Sequence, residues 1–152
     1  MKRHASLIPL SHQHHNGLAL GVLVERTLKG GATPESIQRL AAKCVDRFEL
    51  ELINHFELEE TLLFPAIVRE LGAVPLVERL VAEHREMERL AAALQASPDE
   101  ATLLEFVTLL RTHIRSEENE LFEDVQGRLT PDTMSLLGAE LDARAVRICL
   151  EP

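Results

Sequence analysis

Three histidines of this 152-residue chain carry a glutamate four residues further on: His55 with Glu59, His84 with Glu88, and His113 with Glu117. On a helix, positions i and i+4 share one face about a turn apart. Each pair can therefore aim an imidazole nitrogen and a carboxylate oxygen at one point. Counted over all seven histidines, three such hits arise by chance roughly once in twenty. The other four of the seven histidines (His4, His12, His14 and His15) crowd the N-terminus. Mixed imidazole and carboxylate at high ligand count is the chemistry of metal coordination, and suits iron or manganese better than a thiolate-rich structural zinc site.

Each pair also interrupts an apolar stripe. Phe48 and Leu52 precede His55, Val77 and Leu80 precede His84, and Phe106 and Leu110 precede His113. Isolated ionised carboxylates on such a face would cost on the order of several kcal/mol apiece, so they must be paired or must hold a metal. Two divalent or trivalent cations would neutralise three glutamates. In the first helix the stripe Leu10, His14, Leu18, Gly21, Val24 runs apolar through His14, whereas counting from His15 passes Ser11 and Glu25. His14 is chosen over His15 as the first-helix ligand; His12 and His15 line an entry or face solvent, and His4 is expected to be disordered. The residue-level set is thus His14, His55, Glu59, His84, Glu88, His113 and Glu117. Glu60 and Glu118 point about a hundred degrees from the ligands that they follow, as acceptors for imidazole N–H groups or as solvated charges; an exchange of roles between Glu59 and Glu60 stays open. Gly17 and Gly21 offer either room for a small ligand or close helix packing.

The elements that must position these residues are helices. Leu, Ala, Glu and Arg dominate, and no alternating run bounded by turn dipeptides is found. The first helix is expected from near Ser11 to Lys29-Gly30-Gly31, and the second from Thr33-Pro34-Glu35 to Leu71-Gly72 with a kink at Pro65. The third runs from Val74-Pro75 to about Ala96. Ser97-Pro98-Asp99-Glu100 opens a fourth reaching about Leu129, and Thr130-Pro131 opens a shorter fifth. Short connections force neighbours antiparallel. The fold class is all-α: an up-down-up-down four-helix bundle, one domain over residues 1–152, with a core at 9–129 and an extra C-terminal helix at 131–150. His55–Phe64 and His113–Phe122 echo each other in the His, both Glu, the Leu and the Phe, which two similar hairpins would bring together across a pseudo-twofold axis.

Composition removes other classes of function. A formal net charge of -9 argues against nucleic acid or an anionic membrane surface as partner. No apolar run approaches the roughly 20 residues that span a bilayer, and no signal peptide is read at the start. Cys44 and Cys149 lie far apart, which suits reduced thiols and a cytoplasmic location. With no Trp or Tyr, the chain has no aromatic platform for stacking bases or sugars.

From Pro9 to Val125 the chain resembles the hemerythrin-like family, the histidine–histidine–glutamate cation-binding domains. The resemblance rests on Ser11-His-Gln-His14-His, on His55-Phe-x-x-Glu-Glu-x-x-Leu-Phe-Pro65, on Glu83-His84-Arg85 and on His113-x-x-x-Glu117-Glu118. It implies a four-helix bundle around two iron ions, oxo- or hydroxo-bridged, with zinc or manganese as possible substitutes. Glu59 and Glu117 would bridge, His14 and His55 would serve one metal, His84 and His113 the other, and Glu88 would be a terminal or semi-bridging ligand. Oxygen-carrying members have a histidine where this chain has Glu88, and an aspartate five residues after the fourth-helix histidine where this chain has Glu117 at four. An anionic oxygen in place of a neutral nitrogen would stabilise ferric iron and make oxygen binding less easily reversed. The ferritin-like alternative uses Glu-x-x-His, which does not occur in this sequence. The resulting expectation is a di-iron protein that binds or senses oxygen, peroxide, nitric oxide or iron. The rival is an enzyme that reduces peroxide or nitric oxide, or oxidises ferrous iron, with electrons from a transfer partner. The sequence favours neither monomer nor dimer.

Overall fold

A computed structural model describes residues 2–148; every described element is helical. A short 3-10 turn, Ala5–Leu7, leads into α1 (Ile8–Lys29), three residues earlier than Ser11 because Pro9 serves the first helical turn, where its missing N–H costs nothing. Gly31, at φ 110°, turns the chain out of α1. Thr33 opens α2 (Pro34–Arg47) through a reciprocal capping box with Ser36. The same rod continues through α3 (Ile53–Leu58) and α4 (Phe64–Leu71), joined by π-turns at Phe48–Leu52 and Glu59–Leu63, and stops at Gly72, φ 80°. After α5 (Pro75–Ala96), Asp99 rather than Ser97 caps α6 (Glu100–Ser116) by accepting the Thr102 N–H. A third π-turn, Glu117–Leu121, links α6 to α7 (Phe122–Arg128), and Thr130 caps α8 (Pro131–Arg144).

The interruption expected at Pro65 is a π-turn just before it. An equivalent π-turn occurs at Glu117–Leu121, where Glu123 stands in the proline's place, so the proline is not its cause. The last helix ends at Arg144 instead of reaching 150. Ala145 is extended, its N–H still closing on the Leu141 carbonyl, and the carbonyls of Arg144, Val146 and Ile148 and the Val146 N–H meet the side chains of Gln13, Asn16 and Asn54. Cys149 lies outside the described residues; Cys44 is a buried free thiol whose burial pushes its pKa up to about 12.

α6 packs against α1 and α5, and α5 packs against α2. The apolar interior falls into two clusters. One gathers Leu20, Val24, Phe48, Leu52, Met87, Phe106 and Leu110; the other gathers Leu10, Leu63, Ile67, Leu80, Leu121, Phe122 and Val125. Along the rods His14, His55, Glu59, His84, His113 and Glu117 fall between members of the two, as a polar layer across the middle of the core; buried Glu51 lies within the first cluster. Among the described residues no helix is long and apolar enough to cross a membrane.

Candidate metal centre

α1 supplies His14, α3 and its following π-turn supply His55 and Glu59, α5 supplies His84, and α6 with its π-turn supplies His113 and Glu117. All six side chains are buried, with residue exposures of 0–3%. They form two groups of four, His14–His55–Glu59–Glu117 and Glu59–His84–His113–Glu117, within which one ligand atom from each residue lies within 4.8 Å of the others. The two carboxylates belong to both groups. His14 Nε2 stands 3.0 Å from His55 Nε2 and 2.9 Å from Glu117 Oε2, and His84 Nε2 stands 3.1 Å from Glu59 Oε1.

The remaining glutamate-bearing rod, α5, behaves differently. Glu88 does not join the group: its side chain is 39% exposed and it accepts from Arg85 at 2.8 Å and 3.1 Å. α5 is uninterrupted α-helix, and its inward stripe runs Leu80, His84, Met87, Ala91, Leu94, spacings of four, three, four and three. Position 88 falls beside that stripe. In the other two rods the inward residues recur every four, as His55, Glu59, Leu63, Ile67 and as His113, Glu117, Leu121, Val125. In a plain α-helix that spacing drifts by about 40° per turn. A π-turn begins at each glutamate and takes up the drift. This spacing was the signal that separates Glu59 and Glu117 from Glu88.

Behind the ring, the outward nitrogens of the imidazoles are held. His84 Nδ1 lies 2.8 Å from Glu60 Oε2, His113 Nδ1 lies 2.8 Å from Glu83 Oε1, and His14 Nδ1 faces Glu118 Oε1 at 3.6 Å. Each of these carboxylates is anchored by an arginine: Glu60 by Arg85, Glu83 by Arg79 and Glu118 by Arg3. His55 Nδ1 instead lies 2.9 Å from Oε1 of the buried Gln13 amide. An acceptor at Nδ1 leaves the Nε2 lone pair free toward the centre, which a metal needs. Glu60 and Glu118 thus back imidazoles rather than face solvent. Glu83, which the sequence offers only as a member of the Glu83-His84-Arg85 motif, and Gln13 do the same.

The electrostatics show what the layer lacks. Buried His14 Nδ1 and Glu59 Oε2 have no hydrogen-bond partner, and His113 Nε2 is pressed directly against Glu117 Oε1. Burial, then the neighbouring Glu117 charge, holds the Glu59 carboxyl well above the usual range. Burial opposes ionisation of Glu117 too, but His113 and His14 beside it hold it well below that range. Burial likewise works against the His113 imidazolium, yet Glu117 and Glu83 push its pKa up to about 10. His84 is held down to about 2 by burial and by His113. Several protons therefore occupy a space whose orphaned atoms fit cations, and the donor set of four imidazoles and two carboxylates suits one.

The remaining N-terminal histidines are outside this layer. His12 and His15 are exposed, and His4, expected to be disordered, caps the 3-10 turn by accepting the Ser6 N–H. Gly17 is a packing glycine, since a Cβ there would stand 2.9 Å from Ile114 Cδ1. Gly21 is buried with nothing within 4 Å of an added Cβ, but it lies two helical turns, about 10 Å, beyond His14.

No curated protein and no solved structure matches the chain. The model of one family, the hemerythrin HHE cation-binding domain, matches residues 6–125, most of the chain and all six converging side chains. The chain belongs to the hemerythrin HHE cation-binding domain family.

Proposed function

We propose that this protein holds a pair of iron ions and uses them to bind or sense oxygen or a related small ligand. His14 and His55 would hold one ion, His84 and His113 the other, and Glu59 and Glu117 would be shared. The observation that carries the reading is the buried layer itself: four imidazoles and two carboxylates meet there, with Glu59 Oε2 unpaired and His113 Nε2 crowded against Glu117 Oε1. Bound iron would supply a redox-active centre with affinity for diatomic ligands and peroxide. The chain's own residues orient the imidazoles from behind and exclude bulk water. Exposures of 0–3% leave the ligand atoms within reach of a small molecule only.

Glu88 faces Arg85 and is not in the converging groups, so our reading takes two carboxylates rather than three as ligands. The expectation that an extra anionic ligand would hold the iron ferric falls with it, and reversible binding of oxygen is restored to the proposal. The supporting scaffold is proposed as four rods alternating in direction, with α8 laid across one end, in a cytoplasmic protein.

Anaerobic reconstitution with ferrous iron, a count of metal per chain and cycles of oxygen addition and removal test this. Reversible colour supports binding or sensing. Turnover with an added reductant would replace it by the enzymatic reading, and a chain that takes up no iron would end both.

A further inference from the structure

His55 is the one imidazole of the layer backed by an amide, and an amide can face either way. A carboxylate behind an imidazole only accepts, so Glu60 and Glu83 fix the Nδ1–H form of His84 and His113 by themselves. Gln13 could equally turn its NH2 toward His55 Nδ1 and select the opposite tautomer, with the proton on Nε2 pointing into the centre. The inner side does not decide between them. His55 Nε2 faces His14 Nε2 at 3.0 Å, but also Glu59 Oε1 at 3.3 Å and Glu117 Oε2 at 3.5 Å.

What decides lies on the far side of Gln13. Its Nε2 donates to Asn54 Oδ1 at 2.9 Å and to the Val146 carbonyl at 3.1 Å. Asn54 Oδ1 also accepts the Val146 N–H at 2.9 Å, while Asn54 Nδ2 donates to the Arg144 carbonyl at 3.1 Å. Backbone groups cannot exchange roles. Turning Asn54 would set its NH2 against the Val146 N–H and its oxygen against the Arg144 carbonyl. Turning Gln13 would set its oxygen against Asn54 Oδ1 and the Val146 carbonyl. The Asn54 pairs lie at an edge open to water, but Gln13 is buried, so its reversal sets an oxygen against two acceptors and leaves polar groups unpaired.

We infer that the extended C-terminal segment following α8 is a positioning strap: its backbone orients Asn54, Asn54 and the Val146 carbonyl orient Gln13, and Gln13 fixes the tautomer of His55 that turns a lone pair toward the centre. A second anchor on the same segment, Asn16 Nδ2 to the Ile148 carbonyl at 3.3 Å, comes from the α1 turn that follows Gln13. Docking or release of this segment would then change the affinity of the His14–His55 half while leaving the His84–His113 half alone. That consequence for metal rests on the di-iron reading; the tautomer does not.

The test uses the metal-free full-length chain, labelled with 15N, in which long-range imidazole correlations report the tautomer and hydrogen exchange reports the Val146 amide. The wild type should show His55 as Nδ1–H with Val146 protected. Asn54→Ala should speed Val146 exchange at least tenfold and give a mixture of His55 tautomers, with Co2+ binding at one site weakened about 10- to 100-fold. Adding Gln13→Glu to Asn54→Ala should restore Nδ1–H and Co2+ affinity without restoring protection at Val146, which a merely structural role for the strap would not do. Retention of a pure Nδ1–H form in Asn54→Ala, or an unchanged Val146 exchange rate, overturns the inference. Should Asn54→Ala fail to fold, Gln13→Glu alone decides, because its carboxylate cannot donate to the Val146 carbonyl: faster exchange at Val146 supports the coupling and unchanged exchange refutes it. A wild type that binds no Co2+ would refute the metal reading and leave the tautomer result standing.

Discussion

Glu59 and Glu117 occupy the same place in the two halves of the fold: each follows a histidine by four residues, each begins a π-turn, and both are completely buried in the layer they share. π-turns of this kind cluster at functional sites. Here each one keeps a glutamate and the apolar residues after it on the inward face. Neither carboxylate has an arginine or lysine partner; without metal the protons on His113, His14 and Glu59 balance the charge, and a bound cation would take their place. Glu59→Gln and Glu117→Gln, which keep shape and remove charge, should each lose most of the bound metal. Glu88→Gln should retain the wild-type content. Metal analysis after ferrous reconstitution checks all three, and a Glu88 variant that loses metal would reverse the assignment.

The rods, their caps and the six converging side chains were legible because helical periodicity and capping chemistry are local. Thr33-Pro34 and Thr130-Pro131 open helices where their residue types demand it. The i+4 spacing identifies a shared face without saying which of two adjacent stripes points inward, which is why it includes Glu88, whose side chain lies on Arg85. The run of apolar residues after each histidine holds that information: every fourth residue beyond His55 and His113, but the third and seventh beyond His84, where Met87 and Ala91 are buried. Gln13 was not legible. Its role depends on Asn54 and Val146, which are 41 and 133 residues away, and no local pattern joins them.

The arginine-anchored carboxylates behind the imidazoles should matter nearly as much as the ligands. Glu83→Gln leaves the His113 ring facing an amide that can turn, and releases Arg79. Glu60→Gln does the same for His84 and frees Arg85. Each should weaken Co2+ binding about 10- to 100-fold without unfolding the chain. Competition titration against a chelator, with circular dichroism as the control for folding, separates this from a general loss of structure.

Two glycines one helical turn apart on α1 should respond in opposite ways to the same change. Alanine at Gly21 gains helix propensity, about 0.5–1 kcal/mol, and its methyl meets nothing within 4 Å. At Gly17 the methyl would stand 2.9 Å from Ile114 Cδ1 and 3.6 Å from Leu110 Cδ2, inside a packed core. Overpacking of that kind costs about 1–3 kcal/mol. Gly21→Ala should therefore raise the denaturant midpoint and Gly17→Ala should lower it. A lower midpoint for Gly21→Ala would mean that the space beside it is filled.

The protons held in the layer tie stability to pH with a definite sign. His113 is raised from an ordinary 6.5 to about 10, so the metal-free fold binds this proton more tightly than the unfolded chain does. The resulting stabilisation is complete below 6.5 and is lost as pH rises through about 10. His14 and Glu59 are also raised, and contribute in the same direction. His84, lowered from 6.5 to about 2, acts oppositely: its contribution is full above 6.5 and is lost as pH falls below it. Metal-free protein should therefore melt at progressively lower temperature as pH is raised from neutrality toward 10. Metal must displace the same protons, so the increase in melting temperature on adding Co2+ should grow across that interval. Loading in weakly buffered solution near neutral pH should also acidify the medium. Calorimetry of both forms, with a pH indicator during loading, measures the two effects together; a metal-free melting temperature that rises toward alkaline pH, with no proton released, would mean that the layer holds its ligands already deprotonated.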